Sequence, residues 1–310
     1  MVSLYTQALP NRKALFKCQY KFVLKLITKL VQMLKNKKSF QIVKKRNSKR
    51  IENNSSKKLK LQTNQIILSG KHSILSALKN KNRKLYYLLL TEESSLFWKE
   101  QIKVLNLSLV IKIKTKDELD FITNYQPHQN SILVTEPLDR ISLDEYLFTS
   151  KPSSDLPQRI IILDQVTDPQ NVGAIIRSAY AFNMNGVALS QSNSPTETNS
   201  MAKASSGAIE KIKIIQLSNM SREIKKLQAA NFNVYGLAFG GNKNISELHS
   251  ENGNVAIIVG SEGKGLRRLT KEKVDQLLEI PINKECESLN VANAASIAMF
   301  ELQKNFIKIK

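Results

Sequence analysis

The sequence predicts an α/β protein with two lobes behind a basic N-terminal extension, on three observations. Strand-like apolar runs alternate with helical patterns across residues 65 to 137, and again from Ile160 onward. Runs such as VAIIV at Val255 to Val259 are apolar without interruption, as strands of a parallel sheet covered on both faces require. Positive charge is concentrated before residue 61. There, 17 Lys and Arg stand against one acid, Glu52, so +16 of the chain's +21 lies in the extension and +5 in the remaining 250 residues. With 310 residues and 42% hydrophobic content the chain is long enough for two cores.

Within the extension, residues 20 to 34 place Phe22, Leu26, Ile27, Leu30, Val31 and Leu34 at helical spacing with lysines between them. A basic amphipathic helix of this kind suits RNA phosphates, an anionic membrane surface or an organelle presequence, and a solvated tail equally. Lys21, Lys25 and Lys29 interrupt it, so it is not a membrane-spanning helix. Met33 offers an alternative start to the chain. From Lys35 to Lys60 the composition turns to Lys, Asn and Ser, with too little apolar surface to offset the entropy of ordering. The expected organisation is a basic, largely disordered extension over 1–62, a small α/β domain over 63–140, a linker over 141–157 ending near Pro152 and Pro157, and a larger domain over 158–310.

For the small domain the pattern gives strands at Ile66 to Leu68, Leu85 to Thr91, Val110 to Lys112 and Ile132 to Thr135. Helices fall at Ser73 to Leu78, Ser95 to Leu105 and Lys116 to Thr123. The larger domain carries strands at Ile160 to Leu163, Gly186 to Leu189, Ile212 to Gln216, Val234 to Ala238, Val255 to Val259 and Leu278 to Ile282. Its clearest helices are Val172 to Phe182, Ser221 to Ala230, Lys271 to Leu277 and Val291 to Phe306.

Chemistry in such folds collects where buried strands end. Three segments qualify: LDQVTDPQNVGAIIRSA (Leu163 to Ala179), IIVGSEGKGL (Ile257 to Leu266) and ESLNVANAAS (Glu287 to Ser296). Asn171 and Asn290 stand where helices begin and read as caps. Arg177 lies within an otherwise apolar helical stretch, which capping does not explain. Gly260, Gly263 and Gly265 around Glu262 permit tight turning and close approach of backbone to a ligand. The spacing matches neither a dinucleotide fingerprint nor a phosphate loop, because Gly260 to Lys264 is too short and Gly265 follows. Cys18 and Cys286 are far apart and His72, His128 and His249 are scattered. No metal site is expected, and both thiols are expected reduced and structural.

Taken in order, DPQNVGAIIRSA, GSEGKGLRRLT and SLNVANAAS resemble the three motifs of the SpoU (TrmH-like) RNA ribose 2′-O-methyltransferases of the SPOUT class, and KASSGAIE at Lys203 to Glu210 is similar to the family's segment between the first two. LSGKHSILSALKN (Leu68 to Asn80) and PHQNSILVTEPL (Pro127 to Leu138) resemble the L30e-like RNA-binding domain of the 23S rRNA guanosine methyltransferase branch. The resemblance implies a C-terminal parallel-sheet domain closed by a trefoil knot, and S-adenosyl-L-methionine held near Gly260, Ile280 and Leu289. It implies a catalytic set of Asn171, Arg177, Glu262 and Asn290, and a homodimer. The implied substrate is structured RNA, rRNA before tRNA, with a catalytically silent RNA-binding protein as the alternative. The location it implies is the cytoplasm of a bacterium, or a mitochondrion or other organelle if the extension is a presequence. Two departures stand out: Ala292 where the family commonly has serine, expected to remove a hydrogen bond near the cofactor, and Asn130 where glycine is typical, expected to alter a turn of the small domain.

Overall fold

The computed structural model describes residues 61–149, 157–192 and 194–304. The expectations for residues 1–60, Cys18 and the amphipathic segment among them, lie outside the described residues. The small lobe is a four-stranded sheet with helices between the strands. In chain order these are β1 (Ile66–Ser69), α1 (Lys71–Lys79), β2 (Leu85–Leu90), α2 (Glu92–Val104), β3 (Val110–Ile113), α3 (Lys116–Ile122) and β4 (Ser131–Thr135). The strand order is β1-β4-β2-β3. The β1–β4 and β4–β2 pairs are antiparallel and β2–β3 is parallel. Its core gathers Leu68, Ile74, Leu88, Leu90, Trp98 and Leu133.

The large lobe holds one eight-stranded sheet in the order β10-β12-β9-β11-β6-β7-β8-β5, and every neighbouring pair runs parallel. Its strands are β5 (Ile141–Ser142), β6 (Arg159–Asp164), β7 (Gly186–Ser190), β8 (Lys213–Leu217), β9 (Phe232–Leu237), β10 (Lys243–Asn244), β11 (Asn254–Gly260) and β12 (Gln276–Glu279). Alternation along β6 and β11 sends side chains to two separate cores. Ile161, Leu163, Ile257 and Val259 point to one, and Ile160, Ile162, Ala256 and Ile258 to the other. The first face is covered by α5 (Pro169–Ala181), α6 (Asn199–Ser205) and α9 (Val291–Gln303), the second by α4 (Leu143–Thr149) and α7 (Met220–Ala229). A short α8 (Arg268–Lys273) leads into β12.

Several expected boundaries shift. Residues 141–149, expected as linker, form β5 and α4, whose Leu143 and Tyr146 are buried in the second core. The helix expected at Lys271 to Leu277 is Arg268–Lys273, because β-branched Val274 is already extended at φ −69°, ψ 154°. The strand expected at Leu278 to Ile282 is instead Gln276–Glu279 and stops short of Pro281, which has no N–H for the ladder. Helix α6 and strands β5 and β10 are additions, each too short for a periodic signal. Cys286 is free but exposed on a loop rather than packed in a core.

From β6 the chain winds one way to β7 and β8, while β9 and β11 lie on β6's other side. The carboxyl ends of β6 and β11 therefore flank the point where strand order reverses, which is where open parallel sheets bind ligands.

Candidate active site

The loop after β6 enters α5 through Asp168, whose side chain accepts a hydrogen bond from the Gln170 amide at 3.0 Å, with Pro169 at the first helical position. Asp168, not Asn171, is thus the cap. Asn171 stands inside the first turn, and its side chain is released to face the neighbouring loop. Asn290 does cap α9, its Oδ1 accepting from the Ala292 amide at 2.9 Å and the Asn293 amide at 3.3 Å.

The loop after β11 supplies the third partner. At Gly260 an added Cβ would lie 2.1 Å from the Gly265 carbonyl carbon and 2.3 Å from the Leu266 amide nitrogen, so the loop doubles back against its own strand in a way that only glycine permits. Its far end is anchored by buried Asp164 of β6, which pairs with Arg267 at 2.7 Å and accepts from the Thr270 hydroxyl at 2.8 Å. Glu262 is presented at the tip between these two fixed points.

Asn171, Glu262 and Asn290, separated by up to 119 residues, meet in one closed set of hydrogen bonds. Glu262 Oε1 accepts from Asn171 Nδ2 at 3.0 Å and from Asn290 Nδ2 at 2.6 Å, and Asn290 Nδ2 also donates to Asn171 Oδ1 at 3.1 Å. All three bonds are solvent-exposed. Arg177 is not in this set. It lies six residues beyond Asn171 on α5, roughly 9 Å along the axis, and it is exposed with no hydrogen bond or ion pair among the described residues. The four predicted residues therefore divide three and one.

Beside Glu262 opens a cavity of about 390 Å³ at the carboxyl ends of β9, β11 and β12. Gly260, Ile280 and Leu289 all line it, with Leu237, Val259 and Val291 extending the apolar wall. Sequence reasoning missed the loop after β9. There Phe239 is 78% exposed at the cavity, and the Gly240 amide donates to the Glu279 carboxylate at 3.0 Å. The Gly240-Gly241 pair directly after an apolar strand was the available signal.

Ala292 is 7% exposed and packs in the first core, between Val291 and Ala294, which line the cavity. Asn130 has φ 58°, in the left-handed region where glycine is easiest and asparagine is the usual second choice, so the turn is kept. It is braced by buried His128, whose Nδ1 accepts from the Asn130 amide at 3.1 Å and whose Nε2 pairs with Asp120 at 2.9 Å.

Eight parallel strands covered on both faces, with a cavity lined by Gly260, Gly263 and Gly265 at their carboxyl ends, define an open α/β domain with a candidate ligand pocket. Its family follows from relatives. The SpoU rRNA Methylase family model matches residues 158–300, and the model for RNA 2′-O ribose methyltransferase substrate binding matches residues 67–140. A Staphylococcus aureus protein (strain MSSA476) assigned to the TrmH family of tRNA/rRNA methyltransferases is 34% identical over 194 residues, 63% of this chain and 77% of that one. A Mycolicibacterium smegmatis protein described as an uncharacterized tRNA/rRNA methyltransferase is 33% identical over 61% of this chain and 60% of its own length. The chain belongs to the SpoU (TrmH) family of RNA methyltransferases. Its fold matches AviRb of Streptomyces viridochromogenes in complex with AdoMet, at TM-score 0.66 and 18% identity over 78% of this chain and 90% of that one. It also matches an AdoMet-bound rRNA methyltransferase of Sinorhizobium meliloti, at TM-score 0.66 and 22% identity over 79% and 89%.

Proposed function

We propose that this protein uses S-adenosyl-L-methionine to methylate a ribose 2′-hydroxyl, a guanosine of large-subunit rRNA being the first candidate and tRNA the second. The observation that carries this reading is the closed Asn171–Glu262–Asn290 set at the rim of a glycine-built cavity. The cavity suits that cofactor: an apolar wall including Ile280 and Leu289 matches an adenine face, while the Glu262 and Glu287 carboxylates offer partners to its cationic groups. When bound, it supplies a methyl on a positively charged sulfur, whose C–S bond breaks as the ribose oxygen bonds to carbon.

The chain's own work is placement and charge. Two amide N–H groups on one oxygen fix the Glu262 carboxylate and with it the loop tip, while its second oxygen takes no hydrogen bond among the described residues. Arg177, exposed and without a hydrogen bond or ion pair among the described residues, is placed to hold an RNA phosphate and to favour the alkoxide as the hydroxyl proton passes to water. Tyr180 on α5 and Ile297 and Phe300 on α9, two helices in contact, are 44%, 37% and 48% exposed, apolar surface suited to a homodimer. The proposed organisation keeps residues 63–140 as the RNA-binding domain and residues 158–310 as the catalytic domain with its knotted C-terminal segment, in the cytoplasm.

Transfer of labelled methyl to transcribed large-subunit rRNA and to tRNA tests this. Arg177→Ala is expected to lower transfer about 10²- to 10³-fold without weakening cofactor binding by calorimetry, since no described residue pairs with it. Unimpaired transfer by that variant sinks the assigned role; absence of cofactor binding by the wild type favours the silent RNA-binding alternative.

A further inference from the structure

The two lobes are joined by a polar seam. The Ser69 amide donates to Asn199 Oδ1 at 2.8 Å, the Ser73 hydroxyl to the Ala202 carbonyl at 3.1 Å, and the Lys203 ammonium to the Pro127 carbonyl. Ala202 of α6 is buried in the small lobe's core. At Gly207, with φ 83°, a Cβ would fall 2.1 Å from Ser76 Oγ of α1, so the family-like segment Lys203 to Glu210 is the surface on which the small lobe seats. The seam sets the width of whatever lies beside it.

Beside it lies an open groove of about 710 Å³, walled by the start of α1 (Lys71 and His72), by Gln129 before β4, by α6 (Ser200 and Lys203) and by Gln170 of α5. Its lining contains Lys71, Lys203 and His72 and no Asp or Glu, whereas the cavity beside Glu262 is lined by three glutamates against two lysines. Lys71 is held to the wall with its ammonium 3.9 Å from the Phe97 ring centre. Burial pushes the Lys203 ammonium down, so an anion placed against it restores favourable charge. Gln170 is the residue immediately before Asn171, so one turn of helix faces the groove on one side and the Glu262 set on the other.

We infer that this groove between the lobes is the RNA track: it takes a single-stranded segment of the substrate, its phosphates on Lys71 and Lys203 and its base edges on the carboxamides of Gln129 and Gln170, and leads it to Asn171. The inference rests on the RNA-methylating function proposed above and adds where the RNA lies. An acid-free lysine pair satisfies phosphates without reading sequence, and carboxamides and hydroxyls read the exposed edges of unpaired bases.

The test uses the full chain with a fluorescein-labelled single-stranded RNA 12-mer and the same strand in duplex, by anisotropy over a salt series. Lys71→Glu is expected to raise the Kd for the single strand at least tenfold and to flatten the dependence of log Kd on log salt by about 0.7 for each phosphate no longer neutralised. Lys225→Glu, the same charge change on α7 at the opposite face of the large sheet, is expected to change Kd less than twofold, and Lys71→Arg to restore it. Residue 71 opens α1, where a carboxylate suits the helix dipole, so the reversal does not threaten the fold. Equal effects of Lys71→Glu and Lys225→Glu, or tighter binding of the duplex, overturn the groove assignment while leaving methyl transfer by the wild type intact. A wild type that transfers no methyl to any RNA overturns the underlying function instead.

Discussion

The seam between the lobes and the set at the cavity rim use the same chemistry, carboxylates held by N–H donors, at opposite burial. In the seam Arg83 is fully enclosed. It pairs with Glu197 at 2.6 Å and Glu210 at 2.8 Å and donates to the Glu136 carbonyl at 2.7 Å, while Asn80 Nδ2 donates to Glu210 at 2.8 Å. At the rim Glu262 takes two N–H groups on one oxygen in full contact with solvent. Water decides the difference. A buried network must be complete because an unpaired charge there has no other partner, whereas an exposed one can leave an oxygen open for a ligand. The seam is therefore suited to stability, and the rim to the ligand-holding role proposed for it.

Arg83→Met should give the largest loss of stability. It leaves Glu197 and Glu210 buried without their cation, a change that costs about 3 to 5 kcal/mol in comparable sites, to be read from urea unfolding. Burial already pushes the Glu197 carboxyl up despite the arginine beside it. A carboxyl raised in the folded state gains stability as pH falls through its raised value, so the variant should recover part of its loss as pH drops from neutral toward the ordinary carboxyl value of 4.5 and gain nothing further below it. A loss below about 1 kcal/mol at neutral pH breaks the contrast, since it would mean the seam admits water.

Asn290→Ala should separate stability from activity at the rim. The lost cap is worth about 0.5 to 2 kcal/mol, and the Glu262 bond, being exposed, adds little to that. Methyl transfer should fall far more, about 10²-fold or beyond, because the loop tip loses one of its two restraints. An activity loss no larger than the stability loss predicts would return Asn290 to an ordinary cap.

How much of this was legible in the sequence follows the same division. The longer strands of both lobes were readable because continuous apolar runs and alternation are local signals, whereas two-residue β5 and β10 carry none, and Asn171, Glu262 and Asn290 were nominated by their motifs. The separate position of Arg177 was not legible. Motif order brings segments together but does not say which way a helix face turns, and six residues along α5 carry Arg177 to another side. The seam was invisible for a related reason: Arg83 and Glu197 sit 114 residues apart in stretches with no motif, so their pairing exists only once the lobes are docked. Asn171 looks like a cap in the sequence, yet Asp168-Pro169 starts the helix earlier, a pairing of cap and first-turn proline that is itself a local signal.

Glu118 offers the smallest effect and the sharpest check on whether burial, rather than the number of hydrogen bonds, separates the two regions. It closes the capping box of α3 on the outside of the small lobe. Its Oε2 accepts from the Thr115 amide at 2.9 Å and hydroxyl at 3.1 Å, and its Oε1 from Lys114 Nζ at 2.9 Å. Chiefly through the Thr115 amide, and then Lys114, the carboxyl is held down to about 2 from 4.5. A depressed carboxyl contributes stability above its unfolded value and loses it as pH falls toward the folded one, so α3 should loosen only as pH drops from about 4.5 toward 2. Because the site is exposed, the contribution should stay below about 1 kcal/mol. The Thr115 amide resonance should hold its position from neutral pH down to about 3 and then move, and in Glu118→Gln it should not move at all. A midpoint near 4.5 would show that three hydrogen bonds in open solvent do not hold a carboxylate, and would leave burial as the whole of the difference between seam and rim.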